Sequence, residues 1–135
     1  MPLPYPDDLT SLVLRTDFGD DAAWHAVQAA VDAADEHTAA TYVSDPRFNQ
    51  ADIQTLVAEE DEQIVTVFLA DAITMTDPSH SLLAVDLYDE PGRVFRVPAQ
   101  EFFGVSANLS IANMDFADFA DAADESGTFR GFDDA

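Results

Sequence analysis

Three carboxylates stand where apolar runs stop: Asp17 after Leu12-Val13-Leu14-Arg15-Thr16, Asp71 after Phe68-Leu69-Ala70, and Asp86, with Asp89 close behind, around Leu87-Tyr88. Ligands of open α/β sheets bind beyond the carboxyl ends of strands, and clustered carboxylate oxygens suit hard cations. Asp17, Asp71 and Asp86 are therefore a candidate site for Mg²⁺ or Ca²⁺. A plainer reading competes with it. Asp ends strands and caps helices on its own account, and with 20 Asp in 135 residues several must fall at strand ends by chance. No spacing matches an EF-hand loop, a glycine-rich phosphate loop or a nucleophile elbow. Apart from a divalent ion, no cofactor is expected. His25, His37 and His80 are far apart and none pairs at metal-ligand spacing, so each is expected to be an ordinary surface or half-buried residue. With no Cys, thiolate ligands, thiol nucleophiles and disulfides are excluded together.

The chain carries five Arg and no Lys. In so acidic a protein each scarce cation is expected to have carboxylate neighbours. The functional alternative is that Arg93 and Arg96, with the polar residues Ser106, Asn108 and Ser110, ring a pocket for a carboxylate-bearing ligand. A further constellation is aromatic: Phe102-Phe103, and Phe129 with Phe132, lie in segments of weak periodicity, and adjacent Phe do not easily face one core. One of each pair is a candidate for a partner-binding or dimer patch, against ordinary packing of loops onto the core.

The elements that must position these groups follow from periodicity. Ser11 to Phe18 reads as a first, interior strand ended by Gly19. Asp20 and Asp21 then open a helix whose stripe is Trp24, Val27, Val31 and Ala34. Tyr42-Val43 is a short strand closed by Ser44-Asp45-Pro46. Ile53, Leu56 and Val57 mark a second helix that ends in the acidic run Glu59-Glu60-Asp61-Glu62. Ile64 to Ala70 and Leu82 to Tyr88 are strands joined through a turn at Asp77-Pro78. Glu90-Pro91-Gly92-Arg93 has the residues of a type II turn, Pro fixing the first φ and Gly taking the positive second one, so Arg93 to Val97 returns as a hairpin partner. Pro98 to Phe103 is a helical turn. Val105, Ala107, Leu109 and Ile111 alternate with Ser106, Asn108 and Ser110, the period of a half-buried strand. A final helix starts near Asn113 or Asp115, carries Phe116, Phe119, Ala120 and Ala123 on one stripe, and stops at Gly127. Residues 1–135 thus predict one α/β or α+β domain, a sandwich with a mixed sheet of about five strands and three to four helices.

Charge narrows the partners. Against 27 acids stand five cations, a net charge of −22, and the two halves of the chain carry −12 and −10, so the acidity is global. Such a surface repels phosphates and anionic headgroups, and neither nucleic acid nor a membrane is an expected partner. No apolar run approaches the length of a membrane span, and the leader Met1-Pro2-Leu3-Pro4-Tyr5-Pro6 lacks the basic and apolar regions of a signal peptide. A cytoplasmic protein is expected.

Together, Leu12-Val13-Leu14-Arg15-Thr16-Asp17-Phe18, Val85 to Arg93, Asn108 to Phe116 and the tail Gly127-Thr128-Phe129-Arg130-Gly131-Phe132 resemble a family of small acidic actinobacterial proteins catalogued only as a domain of unknown function. That resemblance implies kinship over nearly the whole chain and no chemistry. At the level of fold analogy alone, an acidic mixed domain closing on a Phe-rich helix is similar to immunity proteins of toxin systems. The expected function is a non-catalytic module that binds a partner protein, a basic one by charge. A small enzyme or ligand-binding domain using the strand-end carboxylates is the alternative.

A folded chain of this mass exposes roughly 7,000 Å², which sets 27 evenly spread acids about 16 Å apart, twice the ~8 Å screening length at physiological salt. At about 10 mM ionic strength that length grows to ~30 Å and neighbouring acids repel. The melting temperature should therefore rise between about 10 mM and about 500 mM NaCl; an unchanged value would show that local pairing already offsets the repulsion.

Overall fold

The computed structural model of the chain describes residues 3–7, 9–33, 40–59, 64–111 and 113–131. Its centre is β1 (Ser11–Arg15), buried at every position. A strand buried at every position is covered on both faces and paired on both edges. It pairs in parallel with β2 (Ala40–Val43) on one side and with β3 (Thr66–Ala70) on the other. β4 (Leu82–Asp86) runs antiparallel to β3, and β5 (Val94–Val97) antiparallel to β4, giving a mixed five-stranded sheet in the order β2-β1-β3-β4-β5. The result is a single α+β sandwich, as the alternation of strands and helices predicts.

Side chains alternate between the two faces, and each face is covered differently. Val13, Phe68, Ala84 and Phe95 face the helices α1 (Asp21–Ala33), α4 (Phe102–Ser110) and α5 (Phe116–Asp121). From α1 come Trp24, Val27 and Val31, the expected stripe without its last residue, Ala34, which lies outside the described residues. Leu12, Leu14, Val67, Leu69 and Val85 face a thinner layer, in which Leu3 of the leader, Phe48 of a single 3-10 turn and Leu56 of α2 (Ile53–Val57) are buried. Only Glu59 of the acidic run after α2 falls within the described residues. Between β3 and β4 lies a one-turn helix, α3 (Ala72–Thr76).

One expected strand is a helix. Val105 to Ile111 belongs largely to α4, because Phe102, Val105, Ser106 and Leu109 recur at spacings of three and four and Ser106 is part of the buried stripe. Its hydroxyl meets Ser11 Oγ at 2.7 Å. A polar residue on the apolar side turned a helical stripe into an apparent alternation. The type II turn is as expected: Gly92 has φ of 96°, and Arg93 N donates to Glu90 O at 2.9 Å.

Beyond α5 the chain returns along β5, with Arg96 N donating to Gly127 O and Phe129 N to Arg96 O, both at 2.7 Å. Phe95, Phe116, Phe119 and Phe129 form one aromatic cluster, Phe119 and Phe129 edge to face at 5.1 Å. The tail is therefore part of the core. Phe119→Ala should cost about 3–5 kcal/mol in urea unfolding, and deleting residues 113–135 should give insoluble or molten protein; a truncated chain with a sharp monomeric transition would show that the core closes without the cluster.

Candidate functional site

The chain leaves β1 for β2 on one side and comes back to β3 on the other, so the connections diverge beyond the carboxyl ends of β1 and β3. That is the place where open α/β sheets bind ligands. A crevice of about 450 to 540 Å³ is found at each end of the sheet, and the one at this end, about 540 Å³, is lined by Thr16, Asp17, Phe18, Asn49, Gln50 and Asp71. Asp17 and Asp71 are thus brought together as strand-end carboxylates. Asp86 is not. Because β4 is antiparallel, Asp86 pairs with Thr66 at the start of β3, a strand length or about 13 Å from the crevice. Both its oxygens accept backbone amides of the β4–β5 turn, Tyr88 N and Glu90 N at 2.9 Å each. Among the described residues no three His, Asp or Glu side chains converge as metal ligands.

Asp71 does several jobs at once. It accepts Thr74 N at 3.1 Å as the cap of α3, and both its oxygens take the Arg96 guanidinium, at 2.9 and 2.7 Å. Arg96 also donates to Ser81 O, and so does the fully buried Thr74 hydroxyl, at 2.6 Å. One ion pair therefore ties the end of β3, α3, the start of β4 and β5. Burial pushes the Asp71 carboxyl up, but the Arg96 guanidinium and the Thr74 amide outweigh burial and hold it below its ordinary value.

With Asp71 neutralised by Arg96, the crevice offers the Asp17 carboxylate, the amides of Asn49 and Gln50, and the Phe18 ring. Asp17 Oδ1 accepts Gly19 N at 2.8 Å, and the guanidinium of the buried Arg15 lies 4.4 Å from the Phe18 centroid. Gln50 has φ of 59°, its backbone N–H donating to Thr16 O at 2.7 Å. The Thr16 hydroxyl donates to Ala70 O, and no His lines the crevice among the described residues. These groups can hold a polar ligand; they do not pair a nucleophile with a base.

Arg93 and Arg96 do not ring a pocket. Arg93 binds Glu90 at 2.7 Å and Asp121 of α5, whereas Arg96, on the other face of the hairpin, binds Asp71. Asn108 and Phe129 do meet, at a shallow pocket of about 140 Å³ beside Gly131. There Asn108 is engaged with Gly104 O and Asn113, and Phe129 is buried. Phe132 lies outside the described residues. Phe102 is buried and Phe103 half-buried against the same core. Asn49 and Gln50 carried no signal in the sequence, since they meet β1 only through the fold.

The fold and crevice define a small acidic α+β sandwich with a switch-point cleft and no assembled catalytic group among the described residues. Residues 10–132 match the family described as a domain of unknown function, DUF6924, and the chain belongs to that family. No curated protein matches it.

Because the folded Asp71 carboxyl titrates below its unfolded value, its stabilisation is present above the unfolded pKa, about 3.9, and is lost as pH falls through the folded one. Asp71→Asn should thus cost about 2–4 kcal/mol at neutral pH. The gap between the two proteins should hold down to about pH 4 and close below it; a gap that persists in acid would assign the effect to packing and capping alone.

Proposed function

We propose that the protein is a non-catalytic, acidic interaction module of the cytoplasm that binds a basic partner protein, in the manner of an immunity or accessory protein. The observation that carries this reading is the internal use of every cation. Arg15 pairs with Asp21, Arg47 with Asp45, Arg93 with Glu90 and Asp121, Arg96 with Asp71, and Arg130 with Asp124. No Arg is left to offset the remaining acids, and the net charge of −22 sets up a field that speeds encounter with a basic surface and repels nucleic acid and anionic membranes. No helix among the described residues is long and apolar enough to cross a membrane.

The test screens the products of the neighbouring genes for basic proteins that bind the chain. One of them should form a one-to-one complex whose association rate falls about tenfold or more from low to high salt; absence of any complex, or a rate indifferent to salt, would sink the reading. The switch-point crevice favours a second reading, a small enzyme or ligand-binding domain in which the Asp17 carboxylate, beside the Arg96-paired Asp71, holds a polar ligand with or without Mg²⁺ or Ca²⁺. That reading requires heat stabilisation by millimolar Mg²⁺ or Ca²⁺, or by a small polar ligand, that an equal ionic strength of Na⁺ does not reproduce.

A further inference from the structure

Exposed apolar side chains are not spread evenly over this molecule. At the end of the sheet opposite the crevice, the leader, the starts of β1 and β3 and the end of α4 enclose a groove of about 450 Å³ lined by Tyr5, Leu9, Val65 and Leu109. Leu9 is 71% exposed, Tyr5 58% and Val65 42%. Ile111, 63% exposed, follows the groove residue Ser110. Tyr88, 65% exposed, comes directly after Leu87, whose amide donates to Val65 O. Five of the seven large apolar side chains that are exposed among the described residues therefore gather at one end.

Leu9 is the most telling of them. Its φ is 62°, a left-handed conformation that costs a non-glycine residue on the order of 1 kcal/mol or more. The conformation is fixed from both sides: Thr10 N donates to Asp7 O, Asp7 N to Thr41 Oγ1, and the Thr10 and Thr41 hydroxyls meet at 2.7 Å. Glycine would suit the turn better, and burial gives Leu9 little in return.

We infer that this groove is the docking surface for the basic partner, taking an apolar side chain that the partner presents between Lys or Arg residues. The inference rests on the partner-binding reading above and adds its place and chemistry. Charge selects the occupant. Asp7 lines the groove, the exposed Asp89 follows Tyr88, and none of the five Arg lines it. A second copy of the chain would bring Asp7 towards Asp7 between two bodies of charge −22, so self-association is disfavoured where a cationic partner is favoured.

The probe is a cationic amphipathic helical peptide of Leu and Lys, compared with an isomer of the same composition whose order leaves no apolar face. In amide NMR spectra of the full chain, the amphipathic peptide should shift Leu9, Val65, Leu109 and Ile111 and bind about tenfold more tightly than the isomer. Leu9→Asp and Val65→Asp should remove that preference while leaving the melting temperature near the parent's. Leu9→Gly should raise the melting temperature and still weaken binding, which separates docking from stability. Equal binding of both peptides, with shifts scattered over the acidic surface, overturns the groove but leaves charge-driven association standing. Binding of neither peptide overturns both. A concentration-dependent dimer abolished by Leu9→Asp overturns the basic occupant in favour of a second copy.

Discussion

A carboxylate one carbon from the backbone can reach an amide two to four residues ahead, and this short bond organises much of the molecule. Asp20, Asp45, Asp52 and Asp71 accept amides at the starts of helical segments. Asp17, Asp77, Asp86 and Asp124 do the same in turns. Glu, one methylene longer, is poorly placed for this, which gives a physical reason for 20 Asp against seven Glu. The acidity is thus partly architectural. At Asp52 the Thr55 hydroxyl, with the Thr55 amide behind it, holds the carboxylate charged and lowers its pKa. At Asp124 the Ser126 hydroxyl acts first, with Arg130 and the Thr128 amide behind it.

The reversal of β4 divides the sheet into two unlike ends. One collects the carboxyl ends of the parallel strands and with them Asp17, Asp71 and Arg96, a polar region tied together by charge-assisted bonds. The other collects the turn around the buried Asp86, the leader and the end of α4, where apolar side chains reach solvent. On β2 the Tyr42 hydroxyl donates to Asp32 of α1 at 2.7 Å, and burial together with that carboxylate raises its pKa far above the ordinary tyrosine range.

Much of this order was legible in residue types. Runs such as Ser11–Arg15, Thr66–Ala70 and Leu82–Asp86 are too apolar for anything but an interior sheet, and the Trp24, Val27, Val31 spacing allowed only a helix. Strand direction was not legible, because a period of two is the same read either way. Asp86 therefore looked equivalent to Asp17 and Asp71 until the antiparallel register carried it to the other end. α4 was hidden by Ser106, whose burial depends on a hydroxyl from β1, a partner far away in sequence. α3 is a single turn set by the reciprocal bonds of Asp71 and Thr74, too short for periodicity to show. The pairing of each Arg with a carboxylate was expected; which carboxylate was a matter of fold.

The central place of β1 also bears on how the chain is made. Leu12 pairs with Thr41 on one side and with Val67 on the other, so during synthesis this central strand, buried at every position in the finished fold, emerges before the partners that cover it and waits unpaired while they are translated. Such a segment is the sort that associates with other nascent chains. Asp7 and Asp8 precede it and Asp17, Asp20 and Asp21 follow it, a bracket of like charge that keeps two copies of the strand apart. Acids that repel one another in the finished protein act, before it exists, as its protection against aggregation.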